Sequence, residues 1–318
     1  MRIAIDVMGG DHAPAEIIAG AMDWAKKSDD KLLLVGREDL IRATLQNYTY
    51  PPDRVHIIAA TELIEMDESP ATAMRKKKDA SIVVATRLVQ EGLADAVLSC
   101  GSTGAQMAAA VFILGRFENI DRPAIVATLP NREGGHAILV DVGANVDCKP
   151  QQLLHFALLG KAYATIAMEL TNPRVALLNN GEEETKGNSL ALESYRLLKA
   201  HPDLNFVGNI EGRDIFNAKS DVIVCDGFIG NILLKTIEGF AQAAVQACSD
   251  ELERIPSFLN KFDYSQVGGV PLLGVEGVSI VCHGSSKREA VYSGIKTARD
   301  CVVKDMVKRQ KLALTKSL

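Results

Sequence analysis

The stretch D-V-I-V-C-D-G-F-I-G-N-I-L-L-K, Asp221 to Lys235, carries the signature of a strand, a tight turn and a helix in fifteen residues. The apolar run Val222–Cys225 predicts a buried strand and Asp226-Gly227 ends it. From Gly230 the apolar spacing becomes helical. A helix start presents unpaired N–H groups and partial positive charge, which suits a phosphate or a developing oxyanion. The alternative is a plain βα turn, with Gly227 allowing positive φ and Asn231 capping the helix.

Working outward, the same beat recurs. Strands are predicted at Arg2–Val7, Lys31–Val35, Val55–Ala60, Ala94–Ser99, Pro123–Thr128, His136–Val140, Arg174–Leu178, Phe206-Val207 and Ser279–Cys282. Helices are predicted at Arg37–Gln46, Pro70–Glu91, Gln106–Leu114 and Pro150–Leu170, in a segment ending at Leu198, from Gly230 to about Glu251, and at Lys287–Gln310. Alternating strands and helices predict an α/β fold with a largely parallel sheet. Nearly every unusual polar turn follows a strand and precedes a helix, and in such sheets ligands bind outside the carboxyl ends of the strands. No repeat, low-complexity run or linker divides residues 1–318, so a single domain is expected.

With 318 residues, 47% of them hydrophobic, the chain can fill a large core. A net charge of −5 and few aromatic residues argue against nucleic acid as a partner. Met1 runs straight into a strand, and no apolar run reaches the ~20 residues of a spanning helix, so a cytoplasmic location is expected. Six scattered cysteines form no C-x-x-C pair, so neither a zinc site nor a disulfide framework is expected. Cys100 and Cys282 end strand-like runs, which leaves them open as thiolate nucleophiles beside the commoner reading as small buried apolar residues.

Three further features stand out. Arg75-Lys76-Lys77-Lys78 is the one dense basic cluster, either a solvated helix face or a landing site. Asp141 and Asp147 could hold Mg²⁺ through water, although turn capping is the commoner use of such residues and no metal is expected. In Leu252–Gln266, Ile255, Phe258, Leu259, Phe262 and Tyr264 alternate with charges, which fits an amphipathic lip on a membrane surface or a subunit contact.

Seven motifs in order resemble the bacterial phosphate acyltransferases of phospholipid synthesis: D-V-M-G-G-D-H-A-P (Asp6–Pro14), G-S-T-G-A (Gly101–Ala105), D-V-G-A-N-V-D (Asp141–Asp147), N-N-G-E-E-E-T-K-G-N (Asn179–Asn188), G-N-I-E-G-R-D (Gly208–Asp214), D-G-F-I-G-N (Asp226–Asn231) and H-G-S-S (His283–Ser286). The resemblance implies transfer of a fatty acyl chain from acyl-acyl carrier protein to inorganic phosphate, giving acyl phosphate for a membrane glycerol-3-phosphate acyltransferase. It implies a homodimer with peripheral membrane association, in a three-layer α/β/α fold similar to phosphotransacetylases and isocitrate or isopropylmalate dehydrogenases. It implies no cofactor. Two positions depart from the pattern: Cys100 stands where alanine is usual, and Ser102 where asparagine is frequent.

That chemistry needs no Ser-His-Asp triad, because phosphate is already an anion and a carrier thiolate leaves readily. It needs two anionic partners positioned and an oxyanion stabilised. The expected catalytic residues are His12, Lys186, Asn231 and Lys235. Phosphate and substrate are expected at Asp11, Gly101, Ser102, Thr103, Gly104, Asn145, Asn188, Asp226, Gly227, Gly230, His283 and Ser285, with the backbone of Gly101–Gly104 and Gly227–Asn231 as the cradle. Arg75, Lys76, Lys77 and Lys78 are expected to dock the acidic carrier protein. The alternatives are a phosphotransacetylase-like enzyme using acyl-CoA, a decarboxylating dehydrogenase of the same fold, and a non-enzymatic membrane-associated scaffold of lipid synthesis.

Overall fold

Through residue 117 the chain forms β1 (Arg2–Asp6), α1 (Ala15–Lys27), β2 (Lys31–Gly36), α2 (Glu38–Leu45), β3 (Val55–Ala59), α3 (Pro70–Lys76), α4 (Ser81–Gln90), β4 (Ala96–Ser99) and α5 (Thr103–Ala109), which runs into a π turn at Ala110–Leu114. Next come β5 (Ala124–Pro130), β6 (His136–Val140), α6 (Pro150–Ala167), β7 (Arg174–Leu178), α7 (Ser189–Ala200), β8 (Asn205–Ile210), β9 (Val222–Val224) and α8 (Gly227–Glu251). The last elements are β10 (Gly269–Leu273), β11 (Val278–Cys282), α9 (Arg288–Val303) and α10 (Met306–Thr315). This computed structural model describes residues 1–65, 67–251 and 268–315. The expected segment Leu252–Gln266 lies outside the described residues.

Two units build the chain: Met1–Phe117 with Ser265–Val307, and Glu118–Tyr264 with Lys308–Leu318. Each draws on two separated stretches, so no linker marks the division in the sequence. In the first unit the strand order is β3-β2-β1-β4-β11-β10. All neighbours are parallel except β10, which runs antiparallel to β11. β1 and β4 are buried along almost their whole length, which is why R-I-A-I-D and A-V-L-S read as apolar runs rather than alternations. In the second unit the order is β5-β6-β9-β7-β8, with β5 antiparallel to β6 and the rest parallel. Its α6 is apolar on nearly every side and is buried accordingly, Phe156 completely.

Four expectations change. The single helix expected over Pro70–Glu91 is two, α3 and α4, parted where Lys77 donates to Glu68 and to the Leu63 carbonyl, and where Thr61 donates to Asp79. The closing helix over Lys287–Gln310 likewise breaks into α9 and α10, with Asp305 at positive φ. β10 was not expected at all. The helix expected from Gly230 starts at Gly227, and Gly227 is required by close packing rather than by positive φ.

Candidate active site

In the first unit, adjacent parallel strands β1, β4 and β11 deliver the turns Met8–His12, Cys100–Gly104 and His283–Ser286 to one sheet edge. Backbones touch there. A Cβ on Gly9 would lie 2.7 Å from the Gly101 amide nitrogen, so only glycine fits. The Asp11 amide donates to the Gly284 carbonyl at 2.8 Å, tying two of the turns together. Beneath them Asp6, 2% exposed, accepts from the Ser99 hydroxyl at 2.7 Å and the Met8 amide at 3.2 Å. Burial raises its carboxyl above the ordinary range, and these hydrogen bonds offset part of the rise. The sequence reading gave neither Asp6 nor Ser99 a role; the available signal was an acidic residue closing an otherwise apolar strand.

Ser102 caps α5, its Oγ accepting from the Ala105 amide at 3.4 Å, while the Gly101 amide donates to Ser99. The amides of Thr103 and Gly104 occupy first-turn positions, ahead of the helix's own ladder. His283 accepts at Nδ1 from the Ser285 amide at 3.1 Å, and the Ser285 hydroxyl lies 2.7 Å from the same nitrogen. In the neutral ring this arrangement leaves the proton on Nε2. His12 is half-buried and Asp11 exposed in the neighbouring turn.

The second unit gathers the turns that follow β6, β9 and β7. Asp141, fully buried, accepts from the amides of Ile125 (3.0 Å), Ala144 (3.2 Å) and Asn145 (2.7 Å), and from the Asn145 side chain (2.9 Å). Burial nevertheless pushes its carboxyl up to about 6. Its oxygens are taken by donors, so capping accounts for Asp141 and a metal role does not. Asn145 reaches the Pro123 carbonyl at 2.8 Å and accepts the Gly227 amide at 2.7 Å, while its own Oδ1 is buried without a partner. Cβ atoms on Gly227 and Gly230 would lie 2.6 Å from the Asn145 carbonyl oxygen and 1.9 Å from that of Asp141.

The opening stretch therefore works differently from the expectation. Asp226, not Asn231, caps α8: its Oδ1 accepts the Ile229 amide at 2.9 Å and its carbonyl accepts the Gly230 amide at 2.9 Å. Within the expected backbone cradle over Gly227–Asn231, the amides of Gly227, Ile229 and Gly230 already have acceptors, and a carboxylate sits at the positive end of the helix. Asn231 is exposed in the first turns of α8, where its Cγ lies 3.5 Å from the Cβ position of Gly143. Lys235 pairs with Glu238 at 3.1 Å. Asn188 caps α7 through the Ala191 amide at 2.9 Å, and the exposed Lys186 packs its stem over Gly181 in the loop between.

Beside this turn lies a cavity of about 530 Å³, walled by α7, α8, the end of β7 and Leu153 of α6. Its interior is leucine, isoleucine and alanine, and its polar lining comes mainly from Asn179, Asn180, Asn188 and Asp226. Cys225 also lines it, but burial holds that thiol well above its ordinary value. The thiolate reading of Cys282 fails on the same ground: a hydrogen bond with Cys100, together with burial, keeps its thiol protonated. Cys100 is buried as well.

In the basic cluster, Arg75, Lys76 and Lys78 are exposed, whereas Lys77 is tied to Glu68 at 2.6 Å. Among the described residues no helix is long and apolar enough to cross a membrane.

The chain matches the family described as "Fatty acid synthesis protein" over residues 1–309. It is 59% identical to a phosphate acyltransferase of Syntrophomonas wolfei over 317 residues, 99% of each chain. With a phosphate acyltransferase of Heliobacterium modesticaldum it shares 53% identity, over 96% of each. Among solved structures, a phosphotransacetylase from Streptococcus pyogenes aligns with a TM-score of 0.66 at 19% identity, over 95% of this chain and 94% of that one. A branched-chain phosphotransacylase from Enterococcus faecalis gives 0.59 at 15%, over 94% and 98%. The α/β fold is thus shared with phosphotransacetylases, and by sequence along nearly its whole length the chain belongs to the phosphate acyltransferase family of acyltransferase enzymes.

Proposed function

We propose that the chain transfers a fatty acyl group from acyl-acyl carrier protein to inorganic phosphate. Free carrier protein and an acyl phosphate are released, and a membrane glycerol-3-phosphate acyltransferase uses the latter in phospholipid synthesis. The observation that carries this reading is the likeness to phosphate acyltransferases over 99% of the chain.

A phosphate oxygen attacks the thioester carbon, the tetrahedral oxyanion collapses, and the C–S bond breaks to release the carrier thiolate, which takes up a proton. In the second unit Asn231 donates to the developing oxyanion or to phosphate, and Lys186 and Lys235 balance charge. Asn145, Gly227, Gly230, Asp226 and Asn188 hold the two turns in place. In the first unit the amides of Thr103 and Gly104, with Gly101 and Ser102 shaping their turn, favour an anion. His283, oriented by Ser285, offers its Nε2 proton, and His12 beside Asp11 is the candidate proton donor to the leaving thiolate. Arg75, Lys76 and Lys78 steer the acidic carrier protein. The chain works as a homodimer at the membrane surface, with Leu252–Gln266 as the membrane contact. The test is mass balance with purified components and no trapping agent: acyl carrier thioester and phosphate should disappear together, with free carrier and acyl phosphate appearing in equal amounts. Loss of thioester at the same rate without phosphate would make the chain a hydrolase instead.

A further inference from the structure

α8 carries an unusual stripe. Ile229, Ile232, Leu233 and Thr236 recur at i, i+3, i+4 and i+7, and all four line the same cavity. A stripe of this kind normally packs against protein, yet Ile229 and Ile232 remain 44% and 50% exposed. Thr236, at its far end, satisfies its hydroxyl on the Ile232 carbonyl at 2.8 Å and so asks nothing polar of the cavity. Behind the stripe Leu153 and Leu177 are 2% and 1% exposed, forming a solid apolar floor. Polar groups collect where α7 and α8 begin, with Asn188 and Asp226 capping the two helices.

We propose that this cavity holds the acyl chain of the thioester, with the carbonyl end at the Asn188 and Asp226 mouth and the methyl end running along α8 toward Thr236. The inference rests on the acyl-transfer reading above and adds where the chain lies and which residues measure it. Three observations select this occupant. The cavity is apolar along its length and polar at one end, as a fatty thioester is. From Ile229 to Thr236 the stripe covers about 11 Å of helix. At about 530 Å³ the cavity falls within the roughly 300–1,000 Å³ that takes up ligands the size of a long acyl chain. Since Leu233 and Thr236 lie farther along α8 from the mouth than Ile229, bulk added there removes room for the distal methylenes.

Two readouts on the full chain test this. In the first, myristic acid bearing a terminal diazirine is photolysed with the wild-type protein and the labelled peptides are mapped. In the second, kcat/KM is compared for a long and a short acyl carrier substrate in the wild type, in Leu233→Trp, and in Leu190→Trp, where Leu190 lines the cavity from α7. The expected result is labelling of peptides that line the cavity, together with a fall in the long-to-short ratio of about fourfold per methylene displaced in Leu233→Trp. If the wild type turns over thioester but the label lies elsewhere and the ratio is unchanged, the inference fails and the acyltransferase reading stands. If the label lies in the cavity but no thioester is consumed, the acyltransferase reading fails and the acyl pocket stands. If both tryptophan variants depress all chain lengths equally and disperse a dimer, a second copy of the chain covers the stripe, and the inference is overturned.

Discussion

Asp141 shows how one residue sets the second unit's turns: its carboxylate collects three amides and the Asn145 side chain while excluded from water. Its folded carboxyl titrates near 6 against an ordinary 3.8, so the folded state binds the proton more tightly than the unfolded one. Below pH about 4 both states are protonated and the group is neutral to stability. As pH rises to about 6 the fold loses stability, by about 3 kcal/mol, and above that the curve flattens. Thermal unfolding followed from pH 4 to 7 should show this decline, and Asp141→Asn should abolish that part of the slope. Asn231 provides a chemical test at the same scale. Asn231→Ala should leave unfolding unchanged within about 0.5 kcal/mol, as expected for an exposed side chain, and reduce kcat by about 10²-fold or more. An unchanged kcat would remove Asn231 from the mechanism. At this scale the sequence was informative about which polar residues gather and poor on what each does. Asp226 and Asn188, expected to face the ligand, are seen to cap helices as well; Asp6 and Ser99, given no role by the sequence, hold the first unit's turns from below. Such assignments depend on three-dimensional partners that spacing does not encode.

Among the elements, α8 carries the sharpest contrast. A methyl at Gly230 meets the Asp141 carbonyl oxygen at 1.9 Å, whereas a methyl at Gly239, three turns of helix further on at most, meets nothing within 4 Å. Gly230→Ala should therefore cost at least about 3 kcal/mol or prevent folding, while Gly239→Ala should stabilise by up to about 1 kcal/mol, because alanine is the better helix former. Denaturant titration of the two variants decides the point, and equal effects would contradict the packing described. Strands and helices of the parallel β-α rhythm were legible to within a few residues, as Arg174–Leu178 shows, because buried strands leave continuous apolar runs. The misses were those set by distant contacts. β10 contains Pro271 and opens on Gly269 directly after Gly268, so it read as loop, and its antiparallel pairing with β11 has no local signature. The break between α3 and α4 carries neither glycine nor proline; it follows from side chains anchoring to residues 61–68.

At the level of the whole chain, two units interleave in sequence, and no composition shift announces them. The basic cluster is exposed in three of its four residues, so steering of an acidic carrier belongs to this scale. The triple variant Arg75→Glu, Lys76→Glu, Lys78→Glu should raise KM for the acyl carrier by about tenfold at low salt, flatten its salt dependence, and leave KM for phosphate unchanged. A parallel rise in both constants would indicate damage to the fold instead. The family was legible from seven motifs because their order and spacing span the chain, whereas the acyl cavity was not, since its walls come from α6, β7, α7 and α8 and no motif records their convergence. The most direct measurement of the central claim offers the purified protein acyl carrier thioester and acyl-CoA of the same chain length side by side, with and without phosphate, and traps the product with hydroxylamine. Acyl hydroxamate formed from the carrier substrate above the direct reaction of hydroxylamine with thioester, and only when protein and phosphate are both present, is the predicted result; carrier thioester consumed no faster than in that direct reaction while acyl-CoA is consumed faster, or neither consumed faster, would contradict it.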